Sequence, residues 1–296
     1  MYESFYGFKE KPFTLLPDPG FLYLGERHQE ALSLLEYGLM YRAGIILITG
    51  RIGCGKTTLI RHLIQNQDVD IIVGNITNTH DSFGDLMKWV MLSLNLEYKG
   101  KDNVELYQDL LEFLQLQNRQ NKRVALIIDE AQNMSADTLE ELRMLSNINV
   151  DKEQILQIIL VGQPELRDTL LKPELLQLTQ RISVDYFLDA MNPEETFEYI
   201  RHRLEVADGD PDLFDLEAIK QVFINSQGVP RLINTICDTA LVYSYAEQAE
   251  LITGDVIKEV VADKRRGSLL PLEYSSQNRP VKDGSQVTHI DLSYPG

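Results

Sequence analysis

The sequence predicts an α/β sandwich built on a five-stranded parallel sheet, followed by a small all-helical unit. Three observations carry that reading. Apolar runs at Ile45–Ile48, Val124–Ile128 and Ile155–Val161 lack polar alternation, the pattern of strands covered on both faces. Stretches of helical periodicity separate them, as parallel neighbours require. From Asn192 onward, every periodic stretch is helical.

In chain order, residues 1–25 are rich in aromatics, proline and glycine (Phe5, Tyr6, Phe8, Pro12, Phe13, Phe21, Tyr23) and read as an irregular lead-in packed on the core. Glu26–Tyr41 places Ala31, Leu32, Leu34, Leu35 and Leu39 on one helical face, and Gly44 is expected to stop this helix before the first strand. A glycine-punctuated loop leads into a helix ending near Ile64, and the second strand is expected over Val69–Ile76. Helices over Ser82–Leu96 and Val104–Gln117 are separated by the turn Lys99–Asp102. The third strand, Arg123–Glu130, ends in two acids, and Ser135 caps a helix reaching about Asn147. Ile155–Val161 and Ile182–Leu188 are the last strands. The helical unit comprises Pro193–Val206 behind an Asn192 cap, Asp215–Asn225, Arg231–Tyr245 and Thr253–Asp263. The expected division is 1–190, 191–263 and a mostly disordered tail over 264–296, with Lys264-Arg265-Arg266 a solvated end.

The chemistry is concentrated in Gly50-Arg51-Ile52-Gly53-Cys54-Gly55-Lys56-Thr57, which lies between the first strand and its helix. G-x-x-x-x-G-K-[ST] in that setting is a phosphate-binding loop: the glycines let successive N–H groups point at phosphate oxygens, and the following helix aims its positive end the same way. Gly50, Gly53, Cys54, Gly55, Lys56, Thr57 and Thr58 are therefore candidate nucleotide contacts. Lys56 would reach the β- and γ-phosphates of ATP, and the Thr57 hydroxyl would sit on Mg²⁺. Ligands of parallel α/β sheets bind at the carboxyl ends of the strands, where Asp129 and Glu130 also fall. Asp129 is placed to hold the Mg²⁺ and Glu130 to deprotonate an attacking water, a pairing that implies hydrolysis.

Composition sets limits around this. With 45 acidic against 28 basic side chains the formal charge is −17, which disfavours a general nucleic-acid-coating surface, though a local basic patch could still touch DNA. No apolar run reaches membrane-spanning length and no secretory leader is apparent, so the chain is expected to be soluble and cytoplasmic. Cys54 and Cys237 have neither metal-type spacing nor a disulfide framework. The histidines, His28 among them, form no ligand spacing and receive no role. Asn75, ending the second strand, is a candidate to hold Glu130 away from water until a partner arrives, and Arg143 reads as a helical arginine beside Glu140.

The order of these motifs resembles the AAA+ superfamily: Walker A, a Walker B strand ending in Asp-Glu, a sensor strand and a helical lid. The resemblance implies that Gln163 in Val161-Gly162-Gln163-Pro164 is sensor 1, in hydrogen-bonding reach of water or the γ-phosphate. It implies that Arg181, before the fifth strand, is an arginine finger supplied to a neighbouring copy. It further implies that Arg231, in Gly228-Val229-Pro230-Arg231, is the lid's sensor 2. More narrowly, Phe5-Tyr6-Gly7-Phe8, Pro17-Asp18-Pro19, Phe21-Leu22-Tyr23-Leu24, Ile128-Asp129-Glu130-Ala131-Gln132 and Val161-Gly162-Gln163-Pro164-Glu165-Leu166 are similar to the ExeA/GspA family over about residues 1–263. Longer members of that family carry a transmembrane segment and a periplasmic peptidoglycan-binding domain; this chain is expected to act as a short cytoplasmic form.

Taken with the resemblance, the expected function is a Mg²⁺-dependent ATPase that forms homo-oligomers through its nucleotide sites and drives or regulates assembly of a bacterial envelope, secretion, pilus or exopolysaccharide system. A DNA-binding transposition regulator of the TniB/TnsC type and a nucleotide-switched scaffold are the alternatives.

Overall fold

A computed structural model describes residues 1–66, 70–77, 85–150 and 153–267. The strands are β1 (Ile45–Gly50), β2 (Ile71–Ile76), β3 (Arg123–Ile128), a two-residue hairpin β4 (Asn149–Val150) and β5 (Glu153–Gln154), β6 (Gln157–Gly162) and β7 (Ile182–Leu188). Five of them form a wholly parallel sheet in the order β2-β3-β6-β1-β7. The register sets Ile45 beside both Ile158 and Ile182, so β1 is paired on both sides and the loop leaving its carboxyl end is flanked by the ends of β6 and β7.

Successive side chains of β1 serve opposite faces. Ile46 and Ile48 pack into a cluster with α2 (Glu26–Met40) and α3 (Lys56–Gln65). Ile45 and Leu47 pack beneath α4 (Leu86–Ser93), α5 (Asn103–Arg119), α6 (Ala136–Leu145), α7 (Pro164–Leu170) and α8 (Leu176–Thr179). With both faces covered, the uninterrupted apolar strands are explained. Thr49 and Gln157 are buried polar exceptions, and the Gln157 amide donates to the Gly38 carbonyl at 3.1 Å, tying β6 to the end of α2.

Helices α9 (Pro193–Val206), α10 (Leu216–Ser226), α11 (Pro230–Ala246) and α12 (Gly254–Gly267) follow the sheet. Asn192 and Glu195 form a reciprocal capping box at the start of α9, worth about 1 kcal/mol. The apolar cluster on the α2/α3 face continues without a break into these helices through Tyr199, Ile200, Leu232, Ile233 and Ile236. The aromatic lead-in, which opens with α1 (Tyr2–Tyr6), lies along them: Tyr2 OH donates to Asp238, Tyr6 OH to the Ala249 carbonyl at 3.0 Å, and the Phe13 and Phe214 rings meet edge to face at 5.8 Å.

Several local expectations change. Helix α2 ends at Met40, and the left-handed turn after it is made by Arg42 (φ 52°) rather than Gly44; the Ala43 N–H closes the turn on the Gly38 carbonyl at 2.8 Å. Gly44 is needed instead for the close pass of the Gln154 amide, which a Cβ would meet at 2.5 Å. Helix α12 runs on through Lys264-Arg265-Arg266 to Gly267, and the tail expected beyond it lies outside the described residues, as do Ser82 and Val69 at the expected element starts. Helices α7 and α8 and the β4–β5 hairpin carried no sequence expectation. Among the described residues no helix is long and apolar enough to cross a membrane.

Candidate nucleotide site

The loop leaving β1 turns over the start of α3. Gly53 sits at φ 80°, and a Cβ there would lie 2.6 Å from the Arg231 Cβ, so both the turn and the approach of α11 require glycine. The Arg231 N–H donates to the Gly53 carbonyl at 3.2 Å, joining the first turn of α11 directly to the loop. The Arg231 side chain is exposed at the rim. Thr58, half-buried in the first turn of α3, also lines the cavity.

Lys56 is only 8% exposed, and its ammonium donates to the Gly50 and Arg51 carbonyls at 2.7 and 3.0 Å. An ammonium carries three N–H donors, so one is left for a phosphate oxygen. Burial lowers the Lys56 pKa below the ordinary lysine range, an effect opposed by Glu130, Asp129 and Glu165. Cys54 is fully buried under the loop, and burial pushes its thiol up to about 11, which keeps it a neutral packing group.

A support that sequence reasoning missed comes from α2. His28, 3% exposed, places Nε2 3.0 Å from the Cys54 carbonyl. Burial depresses its pKa, and a neutral imidazole facing a carbonyl must carry its proton on that nitrogen and donate it. His28 thus props the loop from below. No spacing signal marks it, because the contact is made across two elements.

At the end of β3, the Thr57 hydroxyl donates to Asp129 Oδ2 at 2.8 Å. Glu130 follows in the left-handed region (φ 56°, ψ 36°), a conformation costing a non-glycine residue about 1–2 kcal/mol. Its N–H is held by Asp129 Oδ1 at 2.9 Å. Its carboxylate Oε2 accepts from Gln132 Nε2 at 2.6 Å and from Gln163 Nε2 at 3.1 Å. Asn75 is exposed on the edge strand β2, so the amides that reach Glu130 come from Gln132 and Gln163 and not from the residue suggested by the sequence. Thr57, Glu130 and the loop line a cavity of about 330 Å³ that also reaches Tyr23, Arg203 and Arg231.

The structure does not bring Arg181 to this cavity. It precedes Ile182, which pairs with Ile45 at the far end of β1 from Gly50; at about 3.3 Å per residue that is roughly 17 Å away. Arg181 instead lines an open groove of about 610 Å³ with Arg143 and Gln154. Arg143 is paired with Glu140 at 2.6 Å, the local pairing its spacing predicts.

The donor set fits the nucleotide and metal expected of it. The loop is a cradle that a side chain at Gly53 would fill, and Thr57 with Asp129 offers hard oxygen donors side by side. Such a pair suits Mg²⁺, an ion that takes few protein ligands and keeps phosphate and water oxygens.

A phosphate-binding loop at the carboxyl edge of a five-stranded parallel sheet, with acids on the neighbouring strand and a helical unit over it, defines an AAA+ ATPase fold. An AAA domain family model matches residues 39–170. General secretion pathway protein A of Aeromonas hydrophila is 38% identical over 258 residues, covering 86% of this chain and 47% of that protein. Within the AAA+ class, the chain is similar to the ExeA/GspA-type family. It spans about half the length of that curated relative. Among solved structures, the ORC2 protein of Aeropyrum pernix in its ADPNP-ADP complexes shares the fold at 16% identity and a TM-score of 0.66, over 89% of this chain and 74% of that one. Cdc6p from Pyrobaculum aerophilum does so at 16% identity and a TM-score of 0.62, over 84% and 71%.

Proposed function

We propose that this chain is a Mg²⁺-dependent ATPase that assembles with copies of itself and, from the cytoplasm, drives or regulates assembly of a bacterial envelope or secretion system. The observation that carries the ATPase reading is the meeting of Lys56, Thr57 and Glu130 around one cavity, with Asp129 bonded to Thr57 at 2.8 Å. Backbone N–H groups of the loop and the Lys56 ammonium bind the triphosphate. Thr57 and Asp129 would hold Mg²⁺, which when bound neutralises charge on the β- and γ-phosphate oxygens. Glu130 takes the proton of the attacking water, and Gln163 helps to orient it. Arg231 senses the nucleotide from residues 191–263, acting as a lid over residues 1–190. Arg181 acts on the site of a neighbouring copy, consistent with its distance from its own. The envelope and secretion role rests on the likeness to general secretion pathway protein A.

The test is ATP turnover by the wild-type chain, Lys56→Ala and Glu130→Gln. Turnover lost in both variants, with ATP still bound by Glu130→Gln, is the expected result. A wild type that neither binds nor hydrolyses ATP defeats the reading. Duplex DNA added in parallel is expected to leave the rate unchanged, and strong stimulation would move the function to DNA.

A further inference from the structure

The glutamine two residues after Glu130 has no role in the reading above. Gln132 occupies a 3-10 turn (Ala131–Asn133) anchored by the fully buried Ala131. Its amide nitrogen donates to Glu130 Oε2 at 2.6 Å, and its amide oxygen accepts the Gln163 N–H at 3.0 Å. This orientation is fixed by chemistry: a backbone N–H can only donate and a carboxylate can only accept, so turning the amide over would break both bonds. Gln163 closes the triangle by donating its own amide to the same Glu130 oxygen at 3.1 Å. A single side chain therefore ties the carboxylate at the end of β3 to the end of β6, while Glu130 sits in a backbone conformation that needs such ties to persist.

We infer that Gln132 is a positioning residue for the hydrolytic carboxylate, which it aims and couples to the sensor strand by bridging Glu130 and Gln163. The inference rests on the ATPase reading proposed above. A misplacement of about 1 Å in a reacting group can cost roughly a hundredfold in rate, so loss of the bridge should act on turnover and not on nucleotide affinity. The carboxylate and the sensor glutamine would then respond as a unit when either is displaced.

The experiment compares the full chain with Gln132→Ala, Gln163→Ala, their combination, Gln132→Glu, and the exchange Glu130→Gln with Gln132→Glu. Turnover, affinity for a fluorescent ATP analogue and melting temperature are measured for each. In Gln132→Ala, kcat should fall about ten- to a hundredfold while affinity stays within about twofold. Adding Gln163→Ala should cost much less than the product of the single effects, because the two amides hold the same oxygen. Gln132→Glu sets two carboxylates against each other and should be both slower and less stable than Gln132→Ala; the exchange restores one donor and one acceptor, so melting recovers while turnover does not. Wild-type turnover in Gln132→Ala, multiplicative single effects, affinity falling in step with kcat, or an exchange that melts no higher than Gln132→Glu would each overturn the inference. Absence of turnover in the wild type itself would instead remove the ATPase reading, and this inference with it.

Discussion

Thr57 and Asp129, 72 residues apart in the chain, are joined directly by a hydroxyl-to-carboxylate hydrogen bond of 2.8 Å. The bond brings the start of α3 and the end of β3 to one point, the place where a divalent cation bridging phosphate oxygens would be held. Thr57→Ala and Asp129→Asn are each expected to lower Mg²⁺-dependent ATP turnover by about a hundredfold or more. The double variant should be little worse than either single one, since both act on one centre. Steady-state turnover titrated with Mg²⁺ checks both statements.

Arg181 stands at the opposite end of β7 from the loop and so has no route to its own phosphates. If it serves a neighbour, turnover per chain rises with protein concentration. Arg181→Ala should then be slower by about a thousandfold and lose the concentration dependence, with ATP affinity nearly unchanged. Rates measured over a dilution series check this, and a flat wild-type series would end the trans assignment.

Gly228 (φ 73°) passes so close to the chain before α9 that a Cβ would lie 1.8 Å from the Met191 carbonyl oxygen. The Met191 N–H is bonded to the Gly228 carbonyl at 3.0 Å, so the two segments cannot simply part. Gly228→Ala combines left-handed strain with overpacking and is expected to cost roughly 2–5 kcal/mol. Melting should fall by about 5–15 °C, and calorimetry is the measurement.

His28 gives a pH dependence with a definite sign. Burial holds its pKa below the ordinary histidine value of about 6.5 in the folded chain, so the unfolded chain takes up the proton first as pH falls. Its neutral form therefore contributes stability above about pH 6.5, and this is lost as pH drops through the depressed folded value. His202, also depressed by burial, acts in the same direction. The melting temperature should fall less between pH 7 and 5 in His28→Gln than in the wild type, while turnover at pH 7.5 should fall in that variant because the Cys54 carbonyl loses its prop.

What could be read from the sequence was whatever repeats locally. The five parallel strands, the loop between β1 and α3, and the Asn192 and Ser135 caps all leave short-range patterns, and all appear in the structure. Contacts across the fold leave none. His28 reaches Cys54 from a different helix, and Gln132 meets Gln163 only because β6 lies beside β3. Asn75 was a reasonable choice for a polar group beside Glu130, but the strand order puts β2 at the edge and leaves that residue exposed. The seat of the aromatic lead-in was equally hidden, because its partners lie more than two hundred residues further along.

That last placement bears on how the protein is made. Tyr2 donates to Asp238 and the Phe13 ring meets Phe214, so this stretch completes its packing only after residues about two hundred or more positions further along have been made. At roughly 5–20 residues per second, Tyr2 waits on the order of ten to fifty seconds for Asp238 to be synthesised. During that interval an aromatic-rich stretch is held open to solvent, a natural station for a chaperone and the point at which slowed translation would expose the nascent chain to aggregation.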